Sequence, residues 1–269
     1  MAFRSLRDIG FMSDEGMLQV STAQEGGGDQ PVVSVVVPVK NESGNIAPLV
    51  AEIAAALAGR PFEIVYVNDG STDATEQELR ALMREHSWLR QIRHQSSCGQ
   101  SAAIRTGVVG ARAQLIVTID GDGQNDPAFI PALVAAFGSS RVGLVAGQRV
   151  GRKATPFKKL QSRIANAIRS TVLKDGTRDT GCGLKAFRRD LFLSLPYFDG
   201  LHRFLPALVR REGLDIAYVE VVDRPRRHGT SNYGFWDRLW IGMVDLFGVW
   251  WLIRRKNRIP QSVEVTLAH

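Results

Sequence analysis

The segment Leu115-Ile116-Val117-Thr118-Ile119-Asp120-Gly121-Asp122-Gly123-Gln124-Asn125-Asp126-Pro127 passes from an apolar, β-branched run straight into two carboxylates spaced i, i+2. Leu115 to Ile119 reads as a short strand buried on both faces. Two like charges in one turn raise each other's pKa unless a cation lies between them. Mg²⁺ or Mn²⁺ would relieve the repulsion, because both prefer oxygen ligands and bridge carboxylates to substrate phosphates. The pair alone leaves a second reading open, a polar turn in which Asp122 or Asp126 caps the next helix.

Working outward, the same pattern recurs. Val32 to Val37 is a β-branched run closed by Pro38, and Phe62 to Val67 is a second, opening onto Asn68-Asp69-Gly70-Ser71-Thr72-Asp73. Leu89–Arg93 and Val142–Ala146 read as further strands. Helical spacing falls between them, at 45–57, up to about His86, at 100–111 and at 127–137. Strands alternating with helices predict an α/β fold with a mostly parallel sheet. Ligands on such sheets bind at strand carboxyl ends, where Asn41/Glu42, Asp69 and Asp120/Asp122 all fall.

Composition narrows the class. A chain of 269 residues with 44% hydrophobic and 23% charged residues suits one large globular domain. Cys98 and Cys182 are far apart and form no CxxC, which argues against a disulfide scaffold or cysteine zinc site and suits a reducing compartment. Residues 1–30 read as a tail, without the apolar core of a signal peptide. No run approaches the length of an uncharged bilayer span. The net charge of +7 is concentrated: residues 141–190 hold thirteen Lys/Arg against three Asp, a block that attracts polyanions. The first strand-to-helix connection, Pro38-Val39-Lys40-Asn41-Glu42-Ser43-Gly44, is neither G-x-G-x-x-G nor a P-loop, and GxSxG and HExxH are absent.

Pro38-Val39-Lys40-Asn41-Glu42, Val67-Asn68-Asp69-Gly70-Ser71-Thr72-Asp73 and Asp120-Gly121-Asp122-Gly123-Gln124 together resemble family 2 glycosyltransferases of the GT-A fold. Within that family the chain is similar to the polyprenol- and dolichol-phosphate sugar transferases. The resemblance implies that Pro38, Lys40, Glu42, Val67, Asp69, Asp120 and Gly121 hold the nucleotide, with Asp69 accepting from a base N–H. It implies that Asp120, Asp122 and Gln124 hold Mg²⁺ or Mn²⁺ on the diphosphate. Arg149 and Arg163 would meet donor diphosphate and acceptor phosphate, with Asp122 beside them in catalysis. Asp179-Thr180-Gly181-Cys182-Gly183 would lie beside the acceptor, and Arg226, Arg227 and Ser231 would close on the phosphates. Asn232 stands where the family pattern has lysine, which leaves more of that load to Arg226 or Arg227.

The implied reaction is an inverting sugar transfer from a nucleoside diphosphate to a polyprenyl phosphate. GDP-mannose is the family default; UDP-linked glucose, galacturonate or aminosugars are the alternative. A non-catalytic membrane scaffold of the same fold is the reading from another class, and a nucleotidylyltransferase should carry a Gly-rich loop absent here. The basic block shows no aromatic interleaving for nucleic acid. From Gly234 to Arg255, Trp236, Trp240, Met243, Phe247 and Trp250 share a helical face, followed by Arg254, Arg255, Lys256 and Arg258. That pattern suits a membrane surface or an integral membrane partner at the cytoplasmic face of the cell membrane, the alternative being a terminal helix that packs on the core. The expected division is tail 1–30, catalytic domain 31–233, interface helix 234–258 and tail 259–269.

Overall fold

The computed structural model describes residues 30–150, 169–177, 179–225 and 235–255, the last with side chains only from residue 242. Val33–Val39 forms β1, Phe62–Asp69 β2, Leu89–His94 β3, Leu115–Thr118 β4, Val142–Arg149 β5, Lys185–Arg188 β6 and Asp215–Val221 β7. They make one seven-stranded sheet in the order β3-β2-β1-β4-β6-β5-β7. Every pairing is parallel except those of β6, which runs antiparallel to β4 and β5.

The valine run of β1 has a simple cause: helices cover both faces, so alternation brings no residue to water. Val33, Val35, Val37 and Val39 face one cluster, built with α1 (Ile46–Ala56), α2 (Thr75–Glu85) and α4 (Ile130–Ala135). Val36 faces the other, built with α3 (Gln100–Gly110), α5 (Arg189–Ser194) and α6 (Leu201–Arg211). The helix expected over 127–137 is split into a 3₁₀ turn, Pro127–Phe129, and α4. Pro131 is the reason, because it lacks an N–H and suits only a first turn. β3 extends to His94 and β5 to Arg149, past the ends expected for them.

The final helix, α7 (Phe235–Arg254), packs on the second cluster through Val249, with Leu246, Trp250 and Ile253 half-buried beside it. Trp250 also stacks on Phe247, ring centroids 5.5 Å apart, on the face they share. Among the described side chains of this helix, Met243, Val244, Phe247 and Trp251 are the exposed apolar ones. The side chains of Trp236 and Trp240 lie outside the described residues. No helix among the described residues is long and apolar enough to cross a membrane.

Chain order reverses at β1, which pairs with β2 on one side and β4 on the other. The carboxyl ends of β1 and β4 thus flank the crevice where open α/β sheets bind ligands.

Candidate active site

The two strand ends approach closely. A Cβ on Gly121 would run into Val39, so only glycine lets the turn after β4 lie against the end of β1. The turn then uses its own polar groups. Asp122 Oδ1 accepts from Gln124 N at 3.0 Å, and Asp126 Oδ1 accepts from Ala128 N at 2.9 Å to cap the 3₁₀ turn. The cap thus belongs to Asp126.

Asp120 points to a different task. Its Oδ1 accepts from Gln100 Nε2 at 2.8 Å, and the backbone of Gly183 lies so near that a Cβ there would strike the carboxylate. Burial and the neighbouring charge of Asp122 push the Asp120 carboxyl up to about 6, against the pull of Lys185 and Arg149. A group poised this way favours a neutralising partner. Asp120 also lines a small cleft together with Pro38, Gln100, Gly183, Lys185 and His202. Asp122 is not among the cleft-lining residues but acts on Asp120 through its charge. Lys185 is 3% exposed and donates to the carbonyls of Cys182 and Thr180. Burial lowers its pKa, and Asp120 and Asp179 draw it back up.

A polar network ties this turn to the far edge of the sheet. Asn125 Oδ1 accepts from Asp120 N at 3.3 Å, and Asn125 Nδ2 donates to Asp223 Oδ1 at 3.2 Å. Arg149, at the end of β5, donates bidentately to Asp179 (Nε 2.6 Å, Nη2 2.8 Å) and through Nη1 to Asp223 at 3.2 Å. Three of its five N–H groups are engaged, so the phosphate contact implied by the resemblance would fall to the other two. Arg224 continues the chain of charges, reaching Glu52 at 2.6 Å and Asp126 at 2.7 Å, while its backbone N donates to Gln124 O.

The β2 end is equally well ordered. Asp69 is 5% exposed and accepts from His94 Nδ1 (2.7 Å), Ser97 Oγ (2.7 Å), Cys98 N (2.8 Å) and Gly99 N (2.9 Å). Burial alone would raise its pKa, but these donors hold it below the usual carboxylate value. They fill the four acceptor positions of a carboxylate, so Asp69 organises the 94–99 loop, and a base N–H would have to share one of them. Asp69, His94 and Cys98 bring a carboxylate oxygen, a ring nitrogen and a thiol within 4.8 Å of one another, a donor set compatible with a divalent ion. Val67 is 0% exposed and its side chain packs under α3, so any ligand contact there would come from the main chain. Lys40 is exposed, and Glu42 accepts from Asn45 Nδ2 at 2.8 Å. Asp73 accepts from Ser43 N and Thr75 N, linking the first two loops. Arg163, Arg226, Arg227 and Ser231 lie outside the described residues.

The sequence profile of Glycosyl transferase family 2 matches residues 34–195, from β1 through α5. The chain belongs to glycosyl transferase family 2. The GT-A arrangement expected of that family is the α/β sheet described above, with its mixed edge at β6. One relative, a dodecaprenyl-phosphate galacturonate synthase of Rhizobium johnstonii, is 37% identical over 232 residues, covering 84% of this chain and 68% of that protein. Another, an undecaprenyl-phosphate 4-deoxy-4-formamido-L-arabinose transferase of Pectobacterium carotovorum, is 33% identical over 208 residues, covering 76% and 63%. The chain thus spans about two thirds or less of the length of these relatives. Among solved structures, glucosyl-3-phosphoglycerate synthase from Mycobacterium tuberculosis, in complex with Mn²⁺, UDP and phosphoglyceric acid, superposes with a TM-score of 0.63. It covers 87% of this chain and 81% of its own at 22% identity, a likeness of fold.

Gln100, Lys185, His202, Asn125 and Asp223 escaped the sequence reading. Each is an ordinary residue of a helix, strand or turn until the fold gathers them. The available signal was weak: polar residues in the first turns of helices preceded by Gly99 and Gly200.

Proposed function

We propose that the protein transfers a sugar from a UDP-sugar to a polyprenyl phosphate with inversion at the anomeric carbon. The observation that carries this reading is the Asp120–Asp122 turn at the switch point between β1 and β4, with Asp120 lining the cleft beside Lys185. UDP replaces GDP-mannose as the preferred donor. Relatives named for transfer of galacturonate and formamido-arabinose to polyprenyl phosphates support the alternative over the mannose default. The fold neighbour that holds UDP with Mn²⁺ is consistent with it.

Asp120, Asp122 and Gln124 would hold Mg²⁺ or Mn²⁺. The donor set fits, being oxygen-only with two carboxylates that repel as they stand. The ion supplies charge stabilisation for the leaving diphosphate. The chain's residues do the rest. The loops after β1 and β2 hold the nucleoside, and Asp69 fixes the second of them through the 94–99 loop. Arg149, set by Asp179 and Asp223, shapes the phosphate side of the pocket. The acceptor phosphate is already anionic near neutrality, with a second pKa of about 6, so no strong general base is required. Catalysis then rests on aiming that phosphate at the sugar.

The acceptor lipid gives α7 a role. Met243, Val244, Phe247 and Trp251 form an exposed apolar strip, and Arg254 and Arg255 stack on Trp250 and Trp251 at 4.0 and 5.6 Å. Such a helix suits the interface of an anionic membrane, from which a peripheral protein at the cytoplasmic face would meet its lipid. The test of function is a panel of UDP-sugars and GDP-mannose with a short polyprenyl phosphate and Mn²⁺ or Mg²⁺. A lipid-linked product from a UDP-sugar is expected; product from GDP-mannose alone would reverse the donor assignment.

A further inference from the structure

The cleft beside Asp120 holds a histidine that the reaction as described leaves without a task. His202 is the second residue of α6, and its Nδ1 lies 2.7 Å from Ser101 Oγ in the first turn of α3. Ser101 is 2% exposed, and its Oγ accepts from Gly200 N at 3.0 Å. The hydroxyl has one proton to place, and Nδ1 is its one remaining partner among the described residues. Nδ1 is therefore the acceptor, which puts the proton of a neutral imidazole on Nε2. Burial, with Lys185 and Arg203, holds the ring neutral by lowering its pKa to about 3.

Nε2–H has no hydrogen-bond partner among the described residues, while the ring lines the cleft with Asp120, Gln100 and Lys185. Two donors, His202 Nε2–H and the Lys185 ammonium, thus share a wall with the acceptor Asp120. A hydroxylated ring both donates and accepts, and it complements such a wall. With the diphosphate engaged by the ion proposed at Asp120 and Asp122, the donors of this wall would be left to the sugar ring.

Resting on the glycosyltransferase reading, we propose that His202 is a specificity-determining residue for the donor sugar, its Nε2–H donating to an oxygen on the sugar ring. Ser101 acts as the positioning residue that sets the tautomer.

The test compares binding of UDP and of UDP-galacturonate or UDP-glucose, each with Mn²⁺, by calorimetry on the full chain. In His202→Leu the sugar nucleotides should weaken about 10- to 100-fold, the range for leaving a polar group unpaired, while UDP holds its affinity. His202→Gln, which keeps an N–H donor, should recover most of the loss. Should His202→Leu fail to fold, His202→Asn gives the same ratio, its amide being too short to reach. The proposal is overturned if sugar nucleotides bind His202→Leu or His202→Asn as tightly as wild type, if UDP weakens equally, or if glutamine restores nothing. Wild-type protein that binds neither UDP nor any UDP-sugar would bring down the transferase reading itself, a result distinct from those three.

Discussion

Gly183 and Asp120 show how tightly individual residues define this site. The Gly183 backbone occupies the space a Cβ would need, against the Asp120 carboxylate. Gly183→Ala should therefore cost about 1–3 kcal/mol of stability by overpacking. It should also lower sugar transfer more than 10-fold, read as turnover of folded protein at saturating donor. His202 supplies a pH signature. Its folded pKa of about 3 lies below the unfolded value, so its contribution is complete above roughly pH 6.5 and is lost as pH falls toward 3. Between those limits one protonating group gives a slope of about 1.4 kcal/mol per pH unit. Asp120, with its raised pKa, acts in the opposite sense between about 4 and 6, so the raw wild-type profile mixes the two. The difference between wild type and His202→Gln in denaturant melts isolates the histidine. It should shrink from pH 6.5 to 4; a pH-independent difference would mean the ring is not held neutral.

At the scale of elements, Arg149 joins the end of β5 to Asp179 before β6 and to Asp223 after β7. Arg149→Ala leaves two partly buried carboxylates without their cation, and a loss of roughly 2–4 kcal/mol is expected in chemical denaturation. Arg149→Lys should recover little of it, because an ammonium cannot reproduce the bidentate fork. Full recovery by lysine would reduce the arrangement to simple charge pairing. This scale also shows what could be read beforehand. β1, β2 and β4 were legible because burial on both faces leaves an uninterrupted apolar run. β6 was not, since four residues reading Lys185-Ala-Phe-Arg188 carry no period, and only neighbours far along the chain make them a strand. β7 is an edge strand of half-exposed residues, and Asp215 and Glu220 hide its pattern. The motif loops were legible because each ends a strand at one rim of the sheet. Gln100, Lys185 and His202 were not, because the cleft that gathers them exists only once α3, β6 and α6 are packed.

For the molecule as a whole, the proposed function would have the strand-end rim and the exposed strip of α7 serve two phases, water for the sugar nucleotide and lipid for the acceptor. Phe247→Glu with Trp251→Glu should abolish co-sedimentation with anionic phospholipid vesicles. Transfer to a short, water-soluble polyprenyl phosphate should survive, since neither residue lines the cleft. Loss of both together would place α7 in the fold rather than at a membrane. The central claim is that Asp120 and Asp122 act as a pair, through a divalent ion, on a leaving nucleotide. Its most direct test is formation of lipid-linked sugar by purified protein with a UDP-sugar, a polyprenyl phosphate and Mn²⁺, comparing wild type with Asp122→Ala. The account predicts a loss of at least about 100-fold in the variant, with melting temperature nearly unchanged and wild-type activity abolished by chelator. Transfer that persists in Asp122→Ala, or in excess chelator, would contradict it.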